Sequence, residues 1–287
     1  TPSIDDPSSH WAKQFGDDTL TALITEALES NIGLEAARAN ARAADAAARI
    51  SGSFKLPNAS LGLNSARQQS RLSFLNFQEI DSETHSLSLG SQWEVDLWGK
   101  LRKSHAAGLA NWEAAQADVE ALKLSIAGQV GKAWFNLLES NNQWLLAQDS
   151  STSLEQKLSS LEKRYERGLV TSLDLRLTRA QAASSRVVAQ QRKTALNNSK
   201  RTLEILLGRY PSAKQSSNHS LPEITSAIPS GLSSALVARR PDLYAAERRL
   251  AATLAHSQVA NRNWLPKLSL TGSAGTTSNQ LKDLLEH

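Results

Sequence analysis

Hydrophobic positions recur every third or fourth residue over most of the chain, and every second residue over two short stretches. The longest helical pattern runs from Ser104 to Gly208. No proline occurs between Pro57 and Pro211, and Gly168 is the one glycine between Gly131 and Gly208. Proline breaks helix interiors and glycine weakens them, so this run predicts helix throughout. Gly168 marks a turn, because a glycine in the left-handed conformation commonly ends a helix, and Thr171 or Ser172 is suited to cap the next. The stretch therefore predicts a helical hairpin, 104–167 and 172–208, whose first arm is roughly 100 Å long at 1.5 Å per residue. Leu154, Leu158, Leu161 and Tyr165 form one apolar stripe, and Leu173, Leu177, Ala180, Ala183 and Val187 form another on the return arm. Small residues and i, i+3/i+4 spacing suit coiled-coil packing.

Before the hairpin, residues 17–50 are alanine-rich and helical, with a break expected at Asn31–Gly33 and with Trp11 and Phe15 as anchors onto the body. The period then changes to two. Ala59, Leu61 and Leu63 alternate with polar residues, and Leu87, Leu89, Trp93, Val95 and Leu97 alternate with Ser86, Ser88, Gly90, Gln92, Glu94 and Asp96. This predicts strands near 57–65 and 85–96 joined by a long connection that contains Phe74 and Phe77. An amphipathic sheet in water and a transmembrane barrel share this alternation, and the two runs alone do not separate them.

After a Pro- and Ser-rich loop (Pro211, Pro222, Pro229), the opening of the chain recurs. A shift of 209 residues places Leu34 on Leu243, Ala36-Ala37 on Ala245-Ala246, Leu56-Pro57 on Leu265-Pro266 and Ser60-Leu61 on Ser269-Leu270. A helix at 231–262 and a strand at 266–274 follow. The resulting division is 1–56 N-terminal and first-repeat helices, 57–97 first β-hairpin, 98–208 long helical hairpin, 209–230 linker, 231–264 second-repeat helix, and 265–287 second-repeat strand with a tag-like end.

Composition narrows the function classes. The net charge is +4, with no block of five like charges, so a nucleic-acid footprint is absent. There is no cysteine for disulfides or thiolate metal sites, and no apolar run approaches the ~20 residues of a membrane helix. The six histidines (His10, His85, His105, His219, His256, His287) lack metal-ligand spacing. Gly128-Gln-Val-Gly-Lys132 lacks the spacing and strand context of a phosphate loop. Neither an enzyme nor a cofactor is expected. Thr1-Pro-Ser-Ile has no initiator methionine, and Leu-Leu-Glu-His287 is similar to the start of a histidine tag, so a longer natural chain is expected, with a lipidated cysteine upstream as one possibility.

Four stretches carry a family resemblance. Trp93-Glu-Val-Asp-Leu-Trp-Gly-Lys-Leu-Arg102 resembles the strand-to-helix signature of the outer-membrane efflux channels (TolC-like, NodT-type). Arg164-Tyr-Glu-Arg-Gly-Leu-Val-Thr-Ser-Leu-Asp174 is similar to that family's first hairpin turn, Arg239-Arg-Pro-Asp-Leu-Tyr-Ala-Ala-Glu-Arg-Arg-Leu250 to its second-repeat signature, and Leu265-Pro-Lys-Leu-Ser-Leu to the strand that follows. The resemblance implies a mainly α fold with a small β part: a long antiparallel hairpin in a periplasmic tunnel, and strands of a transmembrane β-barrel shared by a homotrimer. It implies an outer-membrane, periplasm-spanning duct of a tripartite drug-efflux system, with a periplasmic adaptor (membrane fusion) protein, an inner-membrane pump and outer-membrane lipid as partners. It also implies that the fourth strand and the second, gate-bearing hairpin lie outside this chain, which alone would then conduct no ions.

Under that resemblance Ser86, Ser88, Gln92, Glu94 and Asp96 are lumen-facing candidates, with Glu94 and Asp96 near enough to the helices to serve them structurally instead. Arg164, Arg167, Gly168, Leu169, Val170, Thr171, Ser172 and Asp174 form the adaptor-docking tip, with Leu169-Val170 as an apolar patch and Arg164, Arg167 and Asp174 as rim charges. A type I protein-secretion channel and a soluble coiled-coil scaffold are the alternatives.

Overall fold

The computed structural model describes residues 11–12, 15–72, 78–216, 221 and 239–284, with the backbone alone at 70–72, 78–80 and 284. The expected helix start at 231, Phe74 and Phe77, the Pro222 and Pro229 loop and the tag-like 285–287 lie outside these residues. In chain order the elements are α1 (Asp18–Ser30), α2 (Ile32–Ser53), β1 (Asn58–Leu72), β2 (Gln78–Glu94), α3 (Lys100–Glu166), α4 (Ser172–Leu206), α5 (Pro241–Arg262) and β3 (Ser269–Ser278), with a short 3-10 turn at Leu281–Leu284. The chain divides into two compact units, Thr1–Ala39 with Asp118–Pro241 and Asn40–Ala117 with Asp242–His287.

The first unit holds α1, most of α3 and the whole of α4. Asp17 caps α1, accepting the N–H groups of Thr19 and Leu20 at 2.9 and 3.1 Å, while its other oxygen accepts the indole N–H of the fully buried Trp134 at 2.7 Å. Leu20, Ile24, Val130, Leu137, Leu138, Leu203 and Leu207 are buried with that tryptophan. Each such side chain contributes about 1.5–3 kcal/mol by leaving water. Trp11 and Phe15 do act as anchors: Trp11 lies 2.8 Å from where a Cβ on Gly131 would stand, and Phe15 packs on Phe135 with ring centroids 5.3 Å apart.

The hairpin arms carry a seam in which small residues are mixed with leucines. On α3 the shielded positions are Ser140, Trp144, Ala147, Ser151, Leu154, Leu158 and Leu161, and on α4 they are Leu175, Thr178, Ala182, Ser185, Ala189, Leu196 and Leu203. Alternating steps of three and four give the 3.5-residue repeat of a coiled coil. Its antiparallel register is fixed by Ser140 Oγ against Ser199 Oγ at 3.0 Å and by the pairs Arg186–Glu155 and Arg179–Glu162 at 3.1 and 2.9 Å. The return-arm stripe expected from sequence is not this seam. Leu173, Leu177 and Val187 are 64, 54 and 56% exposed, whereas Thr178 and Ala182 are buried. Periodicity defines a face but not its occupant, and on α4 the face that closes the hairpin mixes Thr178, Ala182, Ser185 and Ala189 with Leu175, Leu196 and Leu203.

Both arms end alike. Gly168 and Gly208 have φ of 71°, each in a Schellman turn: Gly168 N–H bonds Tyr165 O and Leu169 N–H bonds Arg164 O, and likewise Gly208 to Ile205 and Arg209 to Glu204. Gly208 is doubly constrained, since a Cβ there would stand 2.5 Å from the carbonyl oxygen of Ser30. Beyond it, the buried Glu204 carboxylate accepts the N–H groups of Ala213, Lys214 and Gln215 at 2.8, 2.8 and 3.1 Å.

The second unit holds the three-stranded antiparallel sheet, in order β1-β2-β3. The strands run further than the alternation indicates. Residues 66–72 and 78–84, read from sequence as connection, are paired strand, while Val95 and Asp96 fall beyond β2. The repeat is realised closely: Ile32 and Pro241 begin helices of 22 residues each, and Ser53 and Arg262 end them, both pairs 209 apart. The second-repeat helix forms at Pro241, where proline favours the first turn, and residues 239–240 are not helical.

Candidate functional site

Two regions bear on function, one in each unit. The first is the hairpin tip. Arg164, Arg167, Gly168, Leu169, Thr171, Ser172 and Asp174 are all exposed and Val170 is half-exposed. Leu169 is 63% exposed at the reversal. Thr171 and Asp174 form a capping box: Thr171 Oγ1 accepts the Asp174 N–H at 3.2 Å, and Asp174 Oδ2 accepts from the Thr171 N–H at 3.3 Å and hydroxyl at 2.6 Å. Asp174 thus helps to start α4 while remaining exposed at the tip. Leu169 and Val170 sit between the two caps.

The second region is the sheet. Cross-strand register collects Ser86, Ser88, Gln92 and Glu94 on one face with Asn58, Ser60, Gly62 and Asn64 of β1 and Ser269, Thr271, Ser273, Gly275 and Thr277 of β3. That face is short and hydroxyl-rich, and Glu94 is the one ionisable residue among these positions. Small residues are needed: a Cβ on Gly275 would lie 2.8 Å from the carbonyl oxygen of Leu87. The opposite face carries Leu61, Leu63, Leu89 and Leu270, which are 74, 66, 54 and 54% exposed.

Asp96 does not share the strand face on which sequence placed it. Extending the alternation carries it past the strand end at Glu94, and the carboxylate turns instead to the start of α3. Its oxygens accept the N–H groups of Leu101 and Arg102, both at 2.9 Å, and Arg102 Nε at 3.2 Å. Burial pushes this carboxyl up, but the Arg102 and Leu101 N–H groups and the Arg102 guanidinium outweigh it, so it titrates below the ordinary 3.8. Gly99, φ 71°, makes the turn, and Arg262 Nη1 bonds its carbonyl at 3.0 Å.

The sequence reading placed Trp93 on the apolar face, gave Trp98 no role beyond the motif, and passed over both indole N–H groups. Trp93 Nε1 donates to Lys55 O at 3.0 Å and Trp98 Nε1 to Pro266 O at 2.8 Å, so β2 and the turn after it are tied to the segments entering β1 and β3. The spacing of the two indoles around Asp96 is the signal that pointed here. Among the described residues no cluster of His, Cys, Asp and Glu is placed to hold a metal, and no helix is long and apolar enough to cross a membrane.

An exposed leucine face backed by a hydroxyl face leads through Asp96 and Gly99 into a 67-residue helix, the arrangement of a strand-and-long-helix protein. The outer membrane efflux protein model matches residues 23–209, and the chain belongs to that family of the Gram-negative outer membrane. It is 34% identical to the pyoverdine export outer membrane protein OpmQ of Pseudomonas putida over 96% of this chain and 61% of that protein. It is 29% identical to the toluene efflux pump outer membrane protein TtgF of the same species, over 98% and 59%. Among solved structures, the outer-membrane channel OprN superposes with a TM-score of 0.81 at 29% identity, over 96% of this chain and 63% of that one. The Campylobacter jejuni CmeC outer membrane channel gives 0.84 at 25%, over 97% and 60%. The chain thus spans about three-fifths of the length of the curated relatives it matches.

Proposed function

We propose that this chain is the larger part of the outer-membrane duct of a tripartite efflux system, passing small molecules from the periplasm to the outside without chemical change. What carries the proposal is the two-faced sheet: leucines exposed on one side, hydroxyls and glycines on the other. In a closed barrel the first face meets lipid and the second lines water. Ser86, Ser88, Gln92 and Glu94 then border the lumen, and the scarcity of charge there suits a passage that leaves selection to its pump. Asp96 belongs to the strand-to-helix anchor.

The exposed Leu173, Leu177, Val187 and Val188 stripe supports assembly with further helices, which a homotrimeric tunnel supplies and a lone two-helix scaffold does not. The tip is proposed as the adaptor contact, with Leu169 and Val170 as its apolar centre and Arg164 and Arg167 as rim charges, and with Gly168, Thr171, Ser172 and Asp174 holding its shape. An inner-membrane pump completes the path. Relatives named for pyoverdine export and for toluene efflux favour small-molecule export over type I protein secretion. The test is export in cells lacking their own duct: the full-length protein restores resistance to a pump substrate, and failure to do so at normal outer-membrane abundance would refute the proposal.

A further inference from the structure

The positive charge of the chain is gathered at one level of the second unit, where its strands meet its helices. Three connectors come together there: 54–57 leads into β1, 95–99 leads from β2 into α3, and 263–268 leads from α5 into β3. Trp93 Nε1 on Lys55 O, Trp98 Nε1 on Pro266 O and Arg262 Nη1 on Gly99 O, at 3.0, 2.8 and 3.0 Å, hold them side by side. In this collar and the helical turns that border it stand Lys55, Lys100, Arg102, Lys103, Arg262 and Lys267, against the carboxylate of Asp96. Glu94 lies just above, at the end of β2 on the hydroxyl face. The collar thus accounts for the whole +4 excess of the chain.

Two of these cations have work within the fold, Arg102 on Asp96 and Arg262 on the Gly99 carbonyl. Among the described residues no ion pair engages Lys55, Lys100, Lys103 or Lys267. Helix stability does not account for Lys100 and Lys103 either. The first turn of α3 has no acidic residue, and cations there oppose the helix dipole. Between the cations lie exposed apolar side chains: Phe54, Leu56, Leu97, Trp98 and Trp264, the last 93% exposed. The leucine face of the sheet runs directly into them through Val95 and Leu268, whose N–H and carbonyl bond at 2.9 Å. Indole rings and free ammonium groups side by side, at the end of strands that face lipid, match the headgroup level of a leaflet. There the apolar body meets acyl chain and the cation meets phosphate.

We infer that this collar selects anionic phospholipid in the leaflet on the helix side, with Lys100, Lys103 and Lys267 drawing the headgroup phosphates and Trp98 and Trp264 seated at the acyl boundary. This rests on the barrel proposed above and adds a lipid preference to it. Continuity with the leucine face favours lipid over a protein partner, which would have to bring carboxylates to an edge that borders hydrocarbon. Electron spin resonance tests it with the full-length protein in phosphatidylcholine vesicles, carrying a trace of spin-labelled phosphatidylglycerol or spin-labelled phosphatidylcholine. Relative association, read from the motionally restricted share of each probe, should favour phosphatidylglycerol about fivefold. Lys100→Gln with Lys103→Gln and Lys267→Gln should abolish the preference and leave the restricted share of the phosphatidylcholine probe unchanged, while arginine at the same three positions should retain it. Equal restriction of both probes by the wild type would overturn the inference and leave the barrel standing. A preference that survives the glutamine variant, or one lost in the arginine variant, would overturn the assignment to these lysines. No restricted lipid of either kind would overturn the barrel as well.

Discussion

Replacing Glu204 with glutamine should release the loop that follows the long hairpin. Glu204 is 3% exposed, and its two oxygens divide the work: Oε1 holds Lys214 and Gln215, and Oε2 holds Ala213. Glutamine keeps the first pair on its carbonyl but turns an amide N–H2 toward the Ala213 N–H, so one charge-assisted bond is lost and a donor faces a donor. Such a bond is worth about 1.5–3 kcal/mol. At about 2 kcal/mol the open loop becomes roughly thirtyfold more populated, since each 1.36 kcal/mol is a factor of ten. Trypsin reports this directly, because cleavage after Lys214 follows the open population when reclosing is fast. Cleavage at Lys214 should accelerate by that factor at pH 8, with cleavage at Arg167 on the exposed tip unchanged as internal control. Burial pushes the Glu204 carboxyl up, yet the Ala213, Lys214, Gln215 and Ser212 bonds outweigh it and hold it below its ordinary 4.5. A carboxyl depressed by folding stabilises above its unfolded value and ceases to do so as pH falls through the folded one. Hydrogen exchange at 213–215 should therefore lose protection below about pH 4.5 in the wild type, and the glutamine variant should show no such step. Equal trypsin rates in the two proteins would refute the reasoning.

Further outcomes follow from the same structure. Leu169→Ser with Val170→Ser in the full-length protein should abolish export with outer-membrane abundance unchanged, and normal resistance in such cells would remove the tip from the mechanism. Gly208→Ala should cost at least about 2 kcal/mol, because it combines a left-handed conformation with overlap on Ser30, whereas Gly168→Ala has open space and should cost about 1. Thermal melts of the two variants would rank them, and the reverse order would contradict the packing described. Asp96→Ala should cost about 1–2 kcal/mol by exposing the start of α3, with Asp96→Asn milder, as measured by denaturation of the detergent-solubilised protein. An Asp96→Ala melt identical to wild type would exclude the anchoring role.

The sequence showed where the chain reverses and repeats more fully than which surfaces meet. Gly168 and the 209-residue repeat were legible because proline, glycine and the Leu-Pro pairs act locally, whereas the start of the second-repeat helix at Pro241 was placed too early. The hairpin seam was legible on α3, where Leu154, Leu158 and Leu161 lie in it, but not on α4, where it buries Thr178 and Ala182 and leaves Leu173 and Leu177 outside. The outer halves of β1 and β2 escaped because neither face is apolar, so no alternation marks them. Their pairing is carried by backbone bonds and by Arg67 with Asp81 across the ladder. For Asp96 the structural alternative holds, since its carboxylate bonds the start of α3, while the period of two does not continue through the turn that Gly99 makes. The engagement of Asp174 in the cap followed the S/T-x-x-D pattern of Thr171, which sequence reasoning had used only for the threonine.

The central claim is that the hydroxyl face of the sheet lines a water-filled lumen while its leucine face meets lipid. Adjacent residues Ser88 and Leu89 point to opposite faces, so they test it most directly. In the full-length protein, single-channel current through Ser88→Cys should fall when a water-soluble charged thiol reagent is added, and current through Leu89→Cys should not change. Block of the Leu89→Cys channel with none at Ser88→Cys would contradict the assignment of the two faces.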